Sequence, residues 1–275
     1  MKPRLSIGLL AFVAVAACSS SPDIPRMPGA ASSALSATSI RTDSDQRFAA
    51  LLEGATDNSI ITNYATDRPS SWGKNFTRRL DFTGVAWDDT RTATAVSPLH
   101  VVMAAHYQRP VGLAVVFHDR KGRPHRRTLV AVESIPMLDA AVGKLDSPLP
   151  SSVRPYRLLP PSSHYEALVG CLAVVTDQQR RAFVHEVGLV TNGAVFFRHT
   201  NRVEPMFGKV LIGGDSGHPS FLLVGGEMVL IGTHSAGGAG GDAFYSYPRL
   251  FSEVNEAMTK LGGGYQLSVV PLAGG

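Results

Sequence analysis

The segment LVGCLAVVTDQQRRAFVHEVGLVTNGAVFFRH, residues 168–199, decides the fold. It holds three short runs rich in Val and Phe, at 168–176, 182–190 and 194–199, with breaks that carry Asp177 and Gly193. β-branched and aromatic residues suit a pleated, half-buried strand, and Gly and Asp favour turns. The same grammar extends outward from this segment. Towards the N-terminus it gives strands at 82–87, 92–97, 113–118, 127–135 and 140–145, and towards the C-terminus at 219–224, 228–233 and 243–247. Eleven short strands with no long helix between them predict an all-β chain, either barrels or a sandwich. Pro155, Pro160 and Pro161 mark a bridge between two halves. A final helix is predicted over 250–261, where Leu250, Val254, Met258 and Leu261 recur at helical spacing before Gly262-Gly263-Gly264 stop it.

The chain has 275 residues, 44% hydrophobic and 17% charged, a globular composition with room for one sizeable core. Its formal charge of +4 falls to about +2 without Lys2 and Arg4, too little to argue for a nucleic-acid partner. Arg120, Lys121, Arg123, Arg126 and Arg127 cluster around Gly122 and Pro124, and this reads as a solvated hairpin tip.

The N-terminus carries a processing signal. Lys2 and Arg4 lead into an apolar run over 5–17 that is too short for a stable membrane span, and Cys18 follows. Val15-Ala16-Ala17-Cys18 resembles the bacterial lipobox, which implies cleavage after residue 17, lipid on the Cys18 sulfur, and a place on the extracytoplasmic side of the cell envelope, periplasmic or surface-exposed. A plain secretory peptide cut near Ala17 is the alternative. Residues 18–43, rich in Ser, Ala and Pro, read as a flexible tether; residues 44–79 read as an extension with a short helix over 45–55. The main domain then spans 80–264, with a tail at 265–275. Cys171, the other cysteine, sits in an apolar run and reads as a buried core residue, so no disulfide is expected.

Three segments carry chemistry. They are residues 94–106, ending in Ala104-Ala105-His106; residues 138–145, Leu-Asp-Ala-Ala-Val-Gly-Lys-Leu, with Asp139; and residues 213–219, Gly-Gly-Asp-Ser-Gly-His-Pro, with Ser216. Singly, each has an ordinary reading as a strand end, a turn or a cap. Together, in this order and in a β-rich chain, they resemble the histidine, aspartate and serine motifs of the chymotrypsin-like serine proteases. The resemblance covers about residues 80–261 and implies two antiparallel β-barrels with a C-terminal helix, the site lying in the cleft between them.

The residue types have a physical reason of their own. A serine hydroxyl is a weak nucleophile at neutral pH and needs a base to take its proton. Histidine titrates near neutrality and can accept that proton and return it to a leaving group. A buried carboxylate fixes the imidazole tautomer and stabilises the imidazolium, and by the resemblance Asp139 is assigned this role ahead of Asp119, Asp146 and Asp177, because only it precedes an Ala-Ala-Val-Gly-Lys-Leu strand of that family's type. Backbone N–H groups aimed at the developing oxyanion contribute about 3–4 kcal/mol each.

By the resemblance, the backbone N–H groups of Gly214 and Ser216 form the oxyanion hole. The stretch around Ser235 and Gly237 would pair with an extended peptide. Val210, six residues before Ser216, would sit at the floor of the substrate pocket, where a valine cannot compensate Arg or Lys. His234 resembles the acid-binding histidine of glutamyl endopeptidases, although Leu211 replaces the hydroxyl residue expected there; a small or apolar preference and a structural His234 are the alternatives. His218 departs from the usual glycine or serine and could narrow the cleft or add a polar group beside the nucleophile. The chain lacks an Ile-Val-Gly-Gly start, so Asp215 requires another cation, with an arginine the first candidate. The nine histidines show no metal-ligand spacing, and no metal or cofactor is expected. The expectation is a monomeric, lipid-anchored serine endopeptidase acting on protein or peptide substrates. A protease-fold adhesion module and a serine esterase or transacylase are the competing readings.

Overall fold

Strand register builds the architecture from these short runs. The computed structural model describes residues 39–87, 91–162 and 165–272. Helix α1 (Ile40–Leu52) is followed by a small hairpin, β1 (Ile61–Asn63) and β2 (Ser71–Trp72). Six strands then make the first barrel: β3 (Val85–Ala86), β4 (Ala93–Ala95), β5 (His100–Ala104), β6 (Ala114–His118), β7 (Pro124–Ile135) and β8 (Ala140–Leu145). They pair antiparallel in the order β3-β4-β5-β8-β7-β6, with β3 lying against β6, so the sheet nearly closes. The second six are β9 (Leu172–Thr176), β10 (Ala182–Val190), β11 (Ala194–Arg198), β12 (Pro219–Val224), β13 (Glu227–Ala236) and β14 (Gly241–Phe244), and they form a closed barrel. Helix α2 (Pro248–Leu261) returns to pack on β7 and β8. Of the two all-β options, the chain takes the paired antiparallel barrels with a C-terminal helix, a chymotrypsin-like architecture.

Period-two alternation sorts each strand between two cores. Val101 and Met103 of β5 join Val115, Phe117 and Leu129 inside the first barrel. Gly143 of β8 is bare for this reason: a Cβ there would stand 2.5 Å from Leu129 Cδ1 and 3.0 Å from Val101 Cγ2. Val102 faces the other way and packs with Phe221 and Leu230 of the second barrel, Phe82, Trp87 and Tyr156, and Leu250, Val254 and Met258 of α2. Each large apolar side chain so buried contributes about 1.5–3 kcal/mol. The barrels therefore share a continuous apolar seam.

Several boundaries differ from the sequence reading. Helix α1 starts at Ile40 rather than at residue 45, so residues 40–43 belong to a helix and not to a tether. Ile40 is buried and Ser44 Oγ donates to Leu172 O at 3.1 Å, which fixes the helix against β9; an Asp43–Arg47 pair four residues apart adds local support. The extension is stitched to the second barrel, since Ile60 N donates to Arg180 O at 2.8 Å and Ala182 N to Asn58 O at 2.9 Å. The tail is likewise integral: Leu158 N donates to Ser268 O and Val270 N to Leu158 O, with Leu267 and Val270 buried. Strand β5 falls outside the strands read from the sequence: His-Val-Val-Met-Ala shows no alternation of polarity, and the structure buries all five residues. The basic cluster does form a hairpin tip, organised by buried Asp119, which accepts from the N–H groups of Lys121 and Arg123 and from the Arg123 side chain. Cys171 is fully buried, and burial pushes its thiol up to about 12, leaving it inert. The signal segment and Cys18 lie outside the described residues.

Candidate functional site

His106 and Asp139 reach one end of the first barrel because their strands are neighbours. Ala104 of β5 pairs with Ala140 of β8, and Ala105 N donates to Asp139 O at 3.2 Å. His106 sits on the single 3-10 turn Ala105–Tyr107 that ends β5. Asp139 follows the turn Pro136–Leu138 and takes a left-handed conformation, φ 49° and ψ 41°, which Asp tolerates better than most residues. This twist turns its carboxylate onto His106. Oδ1 accepts the His106 backbone N–H at 3.0 Å, and Oδ2 lies 2.8 Å from ring Nδ1.

Ser216 comes from the second barrel, on the turn that leads into β12. Gly217 beside it has φ +80°, and its Cα faces Ala104 of the first barrel, where a Cβ would meet Ala104 N at 3.5 Å. Gly217 N donates to His234 O at 2.9 Å, which ties the turn to β13. The result is a Ser216 Oγ to His106 Nε2 distance of 2.9 Å. Three residues from three distant segments thus form one hydrogen-bonded chain across the interbarrel cleft. The His106 side chain is 46% exposed and that of Asp139 28%, so the carboxylate is less buried than expected and the site is open to solvent.

The loop before Ser216 presents unpaired donors. Among the described residues, the N–H groups of Gly214 and Ser216 have no acceptor, whereas those of Asp215, Gly217 and His218 bond to Ile212 O, His234 O and Asp215 O. Gly214 has φ +98°, a conformation open to glycine. Asp215 holds the loop from below. Its buried carboxylate accepts from Ile212 N at 2.9 Å and Gln178 N at 3.1 Å, and Lys209 Nζ lies 3.1 Å from Oδ2. Burial alone would raise the Asp215 carboxyl, but these two N–H groups and the ammonium outweigh it and hold it below the usual carboxylate range. The cation Asp215 required is therefore Lys209 and not an arginine.

The specificity expectations fare differently. His234 is buried, with Nδ1 2.6 Å from Asp242 Oδ1 and Nε2 2.9 Å from Thr176 O. A backbone carbonyl can only accept, so Nε2 carries a proton. Burial by itself would lower His234, but the Asp242 carboxylate outweighs it and the net shift is upward. Both ring nitrogens are consumed within the protein, and the acid-binding reading of His234 has no donor left to offer a substrate.

Val210 is 62% exposed and so is not a buried pocket floor; Leu211 beside it is the buried residue, bridged to Gly238 by backbone bonds of 2.7 and 3.2 Å. Ser235 lies on β13 with its hydroxyl on Gly241 O. The Gly237 carbonyl is taken by Gly240 N at 3.2 Å, which leaves its N–H as the group that can meet a peptide.

His218 does not enter the cleft. It is fully buried between the barrels, with Nδ1 3.1 Å from Asp215 O and Nε2 2.8 Å from Thr92 Oγ1. Burial, aided by the charge on His234, drives it down to about 3, so it is a neutral imidazole that takes the Thr92 proton.

Sequence reasoning missed Lys209, Gln178 and Thr92. Lys209 and Gln178 are 31 positions apart in the chain, and no local pattern marks either. The class this fold defines is the chymotrypsin-like double barrel. No protein-family model matches the chain, and no curated protein sequence matches it.

Proposed function

We propose that this chain is a serine endopeptidase of the cell envelope, hydrolysing peptide bonds through an acyl-enzyme, and that it is held by lipid on Cys18. One observation carries the chemistry: Ser216 Oγ lies 2.9 Å from His106 Nε2, while Asp139 engages Nδ1 at 2.8 Å. With Nδ1–H committed to Asp139, the Nε2 lone pair faces the hydroxyl and can take its proton as Oγ attacks a carbonyl carbon. Charge then develops on the carbonyl oxygen, where the free N–H groups of Gly214 and Ser216 can stabilise it. The imidazolium returns its proton to the leaving amine, and a water repeats the cycle to release the acid. A substrate lying over the exposed His106 and Asp139 would exclude solvent and strengthen each of these interactions.

Anchoring rests on the Lys2 and Arg4 start, the apolar run and Cys18. Among the described residues no helix is long and apolar enough to cross a membrane. Digestion of a diverse peptide library tests the function. The wild type is expected to cut with a reproducible residue preference, and Ser216→Ala to cut nothing. Turnover of esters alone would move the assignment to an esterase, and a folded wild type that turns over neither would leave a binding module.

A further inference from the structure

The Gly213–Gly214 peptide joins two glycines in the loop before Ser216. Neither residue has a Cβ, and nothing lies within 4 Å of where a Gly213 Cβ would be. Two glycines let the intervening peptide rotate at little cost, because both the left-handed and the right-handed backbone regions are open to them. The orientation matters: in a trans peptide the Gly213 carbonyl and the Gly214 N–H point in opposite directions. One orientation aims the N–H into the site beside Ser216, and the other puts a carbonyl oxygen there.

A single side chain bonds this peptide. Gln178 Nε2 donates to Gly213 O at 3.1 Å, and this is the one hydrogen bond to that oxygen among the described residues. The amide lies close against the next residue, since a Cβ on Gly214 would stand 2.4 Å from Gln178 Oε1 and 2.7 Å from its Nε2. Gln178 is itself immobilised at its backbone, where its N–H donates to Asp215 Oδ1 at 3.1 Å. The turn that carries it is braced by Asp177, whose Oδ1 accepts from Gln179 N and Arg181 N at 3.0 and 2.9 Å and whose Oδ2 meets Lys209 at 2.7 Å. We propose that Gln178 is a positioning residue that pins the Gly213–Gly214 peptide with the Gly214 N–H facing the reacting carbonyl. Its place in catalysis rests on the serine hydrolase reading above.

The test compares the full-length wild type with Gln178→Ala and Gln178→Glu, the second of which replaces a donor by an acceptor facing the Gly213 carbonyl. Expected is a fall in kcat of about 10–100-fold for Gln178→Ala and more for Gln178→Glu, with KM within about twofold. A peptidyl trifluoromethyl ketone, which forms a tetrahedral oxyanion on Ser216, should lose affinity by the same factor. A merely structural role would instead lower the melting temperature and leave these ratios in place, and that outcome overturns the proposal. Crystal structures of wild type and Gln178→Ala decide the geometry independently of turnover. A rotated 213–214 peptide in the variant supports the proposal, and an unrotated one contradicts it. An inert wild type would count against the serine hydrolase reading, with the peptide orientation still decided by the crystals.

Discussion

Lys209 Nζ lies 3.1 Å from Asp215 Oδ2 and 2.7 Å from Asp177 Oδ2, so one ammonium joins two buried carboxylates from different segments beneath the loop that carries Ser216. Both aspartates are at most 1% exposed. Removing one partner from such a cluster leaves uncompensated buried charge, which costs about 3–5 kcal/mol. Lys209→Met should therefore lower stability by an amount of this order and disorder the Gly214 and Ser216 donors, with activity falling more than stability alone explains. Lys209→Arg should recover part of both. Denaturant unfolding alongside kcat measurement checks it, and a Lys209→Met variant with wild-type stability would refute the role.

Asp139 orients His106 from a left-handed backbone, a conformation that Asn also tolerates. Asp139→Asn should thus leave the melting temperature within a few degrees of wild type while lowering kcat by about 10⁴-fold, because the amide favours the wrong imidazole tautomer. A variant retaining a tenth or more of the activity would remove Asp139 from the mechanism.

Acid sensitivity follows from the buried imidazoles. Burial lowers His218 to about 3 and His185 to about 4, from an ordinary value of 6.5. Between 6.5 and those values the unfolded chain binds protons that these two folded-state imidazoles refuse, so their contribution is complete above about pH 6.5 and declines as pH falls, by up to about 1.4 kcal/mol per pH unit for each site. His234 is shifted upward, so its contribution has the opposite sign: it is complete below about pH 6.5 and is lost as pH rises through its raised value, which leaves the decline on the acid side in place. Asp119 and Asp215, whose carboxyls are held low, add in the same direction below their ordinary value of 3.8. His218→Gln should show a shallower loss of stability between about pH 6.5 and 5 than wild type, measured by urea unfolding at stepped pH. Equal slopes would mean that His218 is not buried neutral.

The proposed lipid anchor makes a separate prediction. Metabolic labelling with a fatty-acid analogue should mark the wild-type protein, and Cys18→Ala should be unmarked and either unprocessed or released from the membrane fraction. An unmarked wild type would leave the plain secretory reading.

The fold was legible because strand signals are local. The runs at 140–145, 182–190 and 219–224 carry their own alternation or apolar density and coincide with β8, β10 and β12. His106, Asp139 and Ser216 were legible as motifs, although only the pairing of β5 with β8 and the Gly217 turn bring them together. What escaped the sequence depends on contacts between distant segments. The inward bonds of His234 require Thr176 from β9 and Asp242 from β14, and the exposure of Val210 follows from the bridge between Leu211 and Gly238. Polarity at one position does not say which way a strand residue faces; register does.

The most direct test of the central claim is active-site labelling with a fluorophosphonate probe, followed by mass spectrometry of the labelled peptide. The account predicts one adduct, on Ser216, abolished by Ser216→Ala and strongly slowed by His106→Ala. A folded wild type that stays unlabelled, or a label that persists in Ser216→Ala, would contradict it.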